Sequence, residues 1–399
     1  MFEPSTIKLT AQLKLQPTPQ QAQFLQRTIE RANQACNDLS QQAWETRTFR
    51  RYALHKLAYH DIRARYPDLS AQVVVRCIAK VSDAYKLDHK QKRHFRADGA
   101  IAYDTRILSW KGEEVSIWTV GGRQRMSYCC GERQRARLSG ERGEAKLVQR
   151  EGTFYLHQSC EVETPEAQMP EEWMGVDLGI VHLAVTSDGQ SYSGTKVEAK
   201  RRWYERRRQV LQRVGSRSAK RRLRQLSGRQ RRYQKDTNHC ISKALVEVAQ
   251  RTGRGIALED LSGIRGRTRV RREQRHRHHN WTFYQLRQYV SYKAALAGVA
   301  VQFVDPRYSS QTCSSCGHCD RANRRTRDEF VCVVCGYAAP ADENAARVIA
   351  CRARVNAPMV STEGAKAGGC EQSSATALPC ALPDGQAVGQ GQAPPLAVG

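Results

Sequence analysis

Four cysteines, Cys313, Cys316, Cys332 and Cys335, stand as two Cys-x2-Cys pairs separated by fifteen residues. A Cys-x2-Cys pair places two thiolates on one tight turn, and a glycine follows each pair (Gly317, Gly336), letting the backbone fold back around a metal. Two such turns close a tetrahedral thiolate site for Zn²⁺. Four protein ligands leave no open position, so this zinc is structural. Binding of ~10–16 kcal/mol, as in small zinc modules, would hold together a loop too polar to fold alone. His318 and Cys319 fall inside the first knuckle and are read as spare.

Three carboxylates stand where apolar segments end or a helix begins. Asp177 follows Trp173-Met174-Gly175-Val176, Glu259 ends Ile256-Ala257-Leu258, and Asp342 opens an alanine-rich helix in PADENAARVIA. A carboxylate within a buried strand is costly unless it is paired or binds metal. Taken singly, Asp342 reads as a helix N-cap and Glu259 as a solvent-facing strand end. Taken together, on an α/β segment of a strongly basic chain, they point to carboxylates converging on Mg²⁺ for phosphodiester hydrolysis.

The charge agrees with a phosphate-bearing partner. Sixty-five Lys and Arg against 39 Asp and Glu leave a formal +26 over 399 residues. That surplus repels itself in a compact chain unless a polyanion neutralises it, and nucleic acid is the default polyanion. Between Arg201 and Lys235 there are fifteen Lys/Arg and one acid, Glu205. A merely solvated helix would alternate its signs. Arg201, Arg202, Arg206, Arg207, Arg221, Arg222, Arg231 and Arg232 are therefore candidate phosphate ligands, joined by Arg271 and Arg272 from a second run with seven arginines, Arg265 to Arg277. Trp203, Tyr204, Tyr233, Trp281, Phe283 and Tyr284 lie beside these arginines; Trp281 and Phe283 read as helix packing, the others as packing or base stacking. His276, His278 and His279, set among arginines, read as phosphate-facing rather than as a metal cluster. The longest apolar run, Ala294 to Val304, is too short for a membrane span, and MFEPSTIKL lacks the apolar core of a signal peptide. The expectation is a reducing, cytoplasmic, DNA-associated protein.

The elements that must position these groups fall into two styles. Ile7, Leu9, Ala11, Leu13 and Leu15 alternate as a strand that ends at Pro17 and Pro19. Helical periodicity follows from about Gln20 to Trp44 and from Ala71 to Gln91. Strand patterns return at Ile101–Trp110, Glu114–Val120, Ala145–Arg150 and Thr153–Val162. Residues 1–165 thus read as a β-barrel interrupted by a helical insert at about 18–95. After the linker VETPEAQMPEE come strands at Trp173–Asp177, His182–Thr186, Gly255–Glu259 and Val299–Val304. A basic helix over Arg201–Lys235 and helices at Cys240–Gln250 and Trp281–Ala297 alternate with them, an α/β arrangement. From 352 to 399 the chain is rich in Ala, Gly, Gln and Pro and reads as a disordered tail.

GVDLGIVHLAV, IALEDLSGIR and CSSCG…FVCVVCGYAAPADENAARVIA, in this order, resemble the three RuvC-like motifs and the zinc ribbon of the TnpB family, insertion-sequence proteins related to type V CRISPR effector nucleases. LKLQPTPQQAQFL resembles that family's opening strand and helix, and WTFYQLRQYVSYKAALAGVAVQFVDPRYSSQTC its approach to the ribbon, so the similarity runs with gaps from about residue 7 to 351. Many members carry a second acid and an arginine just before the last aspartate; here Pro340 and Ala341 stand there. The resemblance implies a wedge-like barrel with a recognition insert (1–165), an RNase H-like (RuvC) mixed-sheet nuclease domain in two parts (171–306 and 337–351) and a zinc ribbon between them (307–336). It implies an RNA-guided DNA endonuclease carrying a transposon-end guide RNA and cutting double-stranded target DNA. Asp177 would bridge two Mg²⁺ ions that Glu259 and Asp342 each complete. Competing readings are a guide-directed repressor without cleavage, a DNA transposase, and a plain zinc-ribbon adaptor that would leave Asp177 and Glu259 without a purpose.

Overall fold

The computed structural model describes residues 5–167, 169–260 and 283–356. Two compact units divide at Thr164/Pro165. The basic loop with Arg271 and Arg272, the histidines 276, 278 and 279, Trp281, and the tail beyond 356 lie outside the described residues.

In the first unit β1 (Thr6–Leu15) alternates as its sequence demands, with Ala11, Leu13 and Leu15 buried. It is the central strand of a seven-stranded antiparallel sheet in the order β2-β6-β7-β1-β5-β4-β3. The partners are β2 (Ile101–Tyr103), β3 (Leu108–Lys111), β4 (Glu114–Thr119), β5 (Gly122–Cys129), β6 (Glu141–Arg150) and β7 (Thr153–Glu163). The two edge strands, β2 and β3, are consecutive in sequence, and Tyr103 Oη donates to Trp118 O at 3.0 Å, so the sheet curls into a nearly closed barrel. The expected single strand 101–110 is split, because Asp104 accepts the amides of Ile107 and Leu108 and turns the chain. Between β1 and β2 run α1 (Pro19–Glu45), α2 (Arg51–Arg65) and α3 (Ala71–Leu87). Thr18 and Gln21 form a reciprocal capping box on α1. Three elements of this unit went unforeseen. Helix α2 buries only Leu54, Ala58 and Ile62, too sparse a stripe to read, and β5 buries only Met126. A short helix, α4 (Glu132–Arg137), precedes β6.

The second unit is built on a five-stranded sheet, β10-β9-β8-β11-β12. Strands β8 (Trp173–Asp177), β9 (His182–Thr186) and β10 (Ser191–Ser193) form an antiparallel meander, whereas β11 (Gly255–Glu259) and β12 (Val301–Val304) run parallel to β8. The basic stretch is not one helix. Gly215, at φ +64, and the N-cap Ser216 break it into α5 (Thr195–Val214) and α6 (Arg217–Thr252), whose last third is the expected 240–250 helix. Helix α7 (Phe283–Leu296) precedes β12, and α8 (Ala341–Asn356) closes the described chain. The helix runs past the expected boundary at 351, because Ala353 is buried in a cluster with Trp173, Ala257, Val304 and Ile349. Among the described residues no helix is long and apolar enough to cross a membrane.

Side chains divide between the two sheet faces with a period of two. Met174, Val176, Ile256 and Leu258 pack with Ile241 and Leu245 of α6 and Leu286 and Val290 of α7. Trp173 and Ala257 pack against α8 on the other face. That alternation decides where the strand-end acids point.

Candidate metal centre and acid cluster

Asp177 and Glu259 each lie an even number of residues from Trp173 and Ala257, so both carboxyls belong to the α8 face. Val176 and Leu258 are in register across the parallel β8–β11 pair, which sets Asp177 and Glu259 side by side one step further on. Asp342 comes from the first turn of α8. That helix lies directly on β8 at Gly175, where an added Cβ would stand 1.9 Å from Ala346 O and 2.7 Å from Ala350 N. Asp342 is one turn before Ala346 on the same helix face, and Asp177 is two residues beyond Gly175. This close backbone approach seats the helix that carries Asp342 on the strand that carries Asp177, although among the described residues only the four cysteines have ligand atoms all within 4.8 Å of one another.

Asp177 responds to the charge of both other acids. Burial, then the charges of Glu259 and Asp342, push the Asp177 carboxyl up to about 7, while Arg324 and the Leu178 amide oppose the shift. Burial also raises Glu259, against the stabilising hydrogen bond of Ser309 and the charge of Arg352. Glu259 is only 8% exposed, and Ser309 Oγ donates to its Oε1 at 2.5 Å. Carboxyls of this kind, held largely out of water, suit hard divalent cations, which take carboxylate oxygens.

The four cysteines converge as their spacing requires. All four Sγ atoms lie within 4.8 Å of one another, with Cys313–Cys335 at 3.7 Å and Cys316–Cys332 at 3.5 Å. A tetrahedron with Zn–S bonds of ~2.3 Å has edges of ~3.8 Å, so the set fits zinc. The two knuckles are copies: Gly317 N donates to Cys313 O and Gly336 N to Cys332 O, both at 3.0 Å, with φ +77 and +71 at the glycines. Burial works against the Cys332 thiolate, but the amides of Cys335 and Val334 and the neighbouring thiols outweigh it and bring the group down to about 6. His318 and Cys319 stay outside the cluster. Strands β13 (Glu329–Val331) and β14 (Ala338–Pro340) lead straight from the knuckles to α8. Asn344 of α8, fully buried, accepts from Ser314 N and donates to Thr312 O, tying the first knuckle to the helix that carries Asp342.

The arginine candidates separate into two groups. Arg201, largely buried, is held by Glu198 and Glu205, whereas Arg202 pairs with Glu198 but stays exposed. Arg206, Arg207, Arg221, Arg222, Arg231 and Arg232 are exposed. Trp203 is exposed beside the buried Tyr204, Phe283 packs as expected, Tyr284 is exposed, and Lys200 lies over the Tyr233 ring. Three contributors to the acid cluster carried no legible motif. Arg324, Ser309 and Arg352 act across 147, 50 and 93 residues of chain on Asp177 and Glu259 (324 − 177, 309 − 259, 352 − 259).

Residues 157–271 match the family model described as "Probable transposase", of the OrfB IS605 type, and residues 283–349 match "Cas12f1-like, TNB domain". The CRISPR-associated endodeoxyribonuclease Cas12f1 of Sulfoacidibacillus thermotolerans is 36% identical over 222 residues, 50% of each chain. A TnpB-like protein of Methanocaldococcus jannaschii is 36% identical over 92 residues, 23% of this chain and 33% of its own. The chain spans about half the length of the first of these relatives. The fold is shared with Cas12f1 solved in complex with sgRNA and target DNA, at a TM-score of 0.56 and 15% identity over 82% of this chain and 81% of that one. Two segments of the chain are thus similar in sequence to the TnpB-like and Cas12f proteins, and its fold is shared with Cas12f1.

Proposed function

We propose that this protein is an RNA-guided DNA endonuclease that hydrolyses DNA phosphodiesters with two Mg²⁺ ions at Asp177, Glu259 and Asp342. The observation that carries this reading is the arrangement of the three acids: two at the same ends of adjacent parallel strands, the third in the first turn of the helix that lies on Gly175. Names of relatives agree, since Cas12f1 is an endodeoxyribonuclease and is found with a guide and target DNA. The α/β unit then serves as an RNase H-like (RuvC) domain in two parts, and the four-cysteine loop as a zinc ribbon with Zn²⁺ at Cys313, Cys316, Cys332 and Cys335. The barrel with its helical insert is its wedge and recognition unit.

When bound, the cations would activate a water for attack on phosphorus and neutralise the departing 3′ oxygen. The chain's own groups prepare that chemistry. Asp177, whose carboxyl feels the charges of both other acids, would hold the ions together with them. Arg324 brings positive charge to the same carboxyl from the ribbon. The exposed arginines of α5 and α6 supply contacts for long phosphate backbones.

The test is to purify the protein with RNA expressed from its own locus, sequence that RNA, and offer DNA matching its variable end with Mg²⁺. Cleavage by the wild type and none by Asp177→Ala, with RNA binding within a few-fold, is the expected result. Cutting by Asp177→Ala refutes the acid assignment. A defined RNA with no cutting by either protein favours the repressor, and no defined RNA removes the guide.

A further inference from the structure

Glu259 has a partner that the acid cluster does not explain. The segment between β12 and the first knuckle, Asp305-Pro306-Arg307-Tyr308-Ser309, folds back over the strand ends. Tyr308 adopts φ +58, a left-handed conformation unfavourable for a bulky side chain. It accepts the amides of Gln311 and Thr312, and Thr312 Oγ1 as well. Arg352 of α8 donates to Asp305 O at 2.6 Å and fixes the other end. The outcome of this over-determined turn is that Ser309, 5% exposed, aims its hydroxyl at Glu259 Oε1 at 2.5 Å. Pro306 O lies 3.1 Å from the same hydroxyl, and the Glu259 contact is the shorter; a strained backbone held on both sides that ends in a buried hydroxyl against a site carboxylate has the form of an orienting device.

We infer that Ser309 is a positioning residue for the metal site: its hydroxyl occupies Oε1 of Glu259, holds the carboxylate in one rotamer and leaves Oε2 to receive a cation. This rests on the metal-binding reading of the three acids. The geometry has a second consequence. Thr312, which accepts from Asn344 through its carbonyl and bonds Tyr308 through its hydroxyl, is the residue before Cys313. The loop that aims Ser309 is therefore anchored next to the first knuckle.

The test measures Mn²⁺ binding directly, by the loss of the free-ion electron paramagnetic resonance signal on addition of the full-length protein, beside its Mg²⁺ dependence of cleavage. Removing an outer partner of a metal-binding carboxylate costs ~10–100-fold in metal affinity. Ser309→Ala is expected to weaken Mn²⁺ binding about tenfold and to raise the Mg²⁺ needed for half-maximal cleavage by a similar factor, with zinc content unchanged. Ser309→Thr, which keeps the hydroxyl, restores binding to within about threefold. If Ser309→Ala does not fold, Ser309→Cys, close in shape and a weak donor, answers the same question. Ser309→Ala or Ser309→Cys binding Mn²⁺ like the wild type overturns this inference while Asp177→Ala still abolishes binding. Binding that survives in Asp177→Ala overturns the metal reading itself.

Discussion

Gly175→Ala isolates the contact that seats the Asp342 helix on the Asp177 strand. The substitution adds one methyl group at a strand position whose carbonyl and amide are already engaged with Ser187. That methyl would stand 1.9 Å from Ala346 O, whereas ordinary contact begins at 3.4 Å. The deficit, 3.4 − 1.9, requires α8 and β8 to part by about 1.5 Å, and both obstructing atoms are backbone, so no rotamer can relieve it. Overpacking of this kind costs ~1–3 kcal/mol, which the large apolar clusters of this unit can absorb. Function is more sensitive, because a displacement of ~1 Å in a reacting constellation costs ~10²-fold in rate. The variant should fold, retain zinc and RNA, and cut matched DNA about a hundredfold more slowly, the loss falling on the maximal rate rather than on DNA affinity. The assay is single-turnover cleavage at saturating Mg²⁺, alongside urea unfolding. Cleavage within twofold of wild type would refute the argument that this contact sets the position of Asp342.

Titration of Asp177 supplies a stability test in Mg²⁺-free buffer. Its folded value, about 7, lies above the ~3.9 of an unfolded aspartate, so the stability it confers is full below pH 4 and is lost as pH rises through 7. Asp177→Asn should therefore be more stable than wild type at pH 8, by up to a few kcal/mol, and no more stable near pH 4; an equal difference at both pH values in urea unfolding would contradict the raised value. Cys332→Ser should release the zinc and lower the unfolding midpoint, read by metal analysis and thermal melting, and unchanged metal content would dismiss the four-thiolate site. Replacing Arg206, Arg207, Arg221 and Arg222 by Gln should reduce the salt slope of nucleic-acid binding by ~0.9 per lost duplex phosphate contact. Arg201→Gln, whose side chain is already held by Glu198 and Glu205, should leave that slope unchanged.

Much of the scaffold was legible because the apolar pattern that drives burial also shows in the sequence. The alternation of β1 and the stripes of α1 and α3 reappear as buried faces. Helix α2 and strand β5 were not legible, since each contributes so few buried residues that its periodicity is lost among polar neighbours. The basic stretch misled by its composition. Fifteen cations suggested one continuous phosphate-binding helix, yet Gly215 and Ser216 are strong local stop and start signals, and the structure obeys them. Charge counting also overlooked Glu198, which lies just outside the counted window and takes Arg201 and Arg202.

The sequence by itself determined the ligand chemistry. Two Cys-x2-Cys-Gly turns define a thiolate metal site locally, because ligand spacing and the glycine's positive φ are properties of a few consecutive residues. It also marked three acids that end apolar strands or open a helix. Whether those acids meet was decided only by tertiary structure. The parallel β8–β11 register, the two-residue alternation that turns both strand acids toward α8, and the backbone contact at Gly175 all join segments 80 to 165 residues apart, from Asp177 to Glu259 and to Asp342 (259 − 177 = 82, 342 − 177 = 165). The partners Ser309, Arg324 and Arg352 were invisible for the same reason. A single hydroxyl or guanidinium has no periodicity, and its meaning comes from what the folded chain sets beside it.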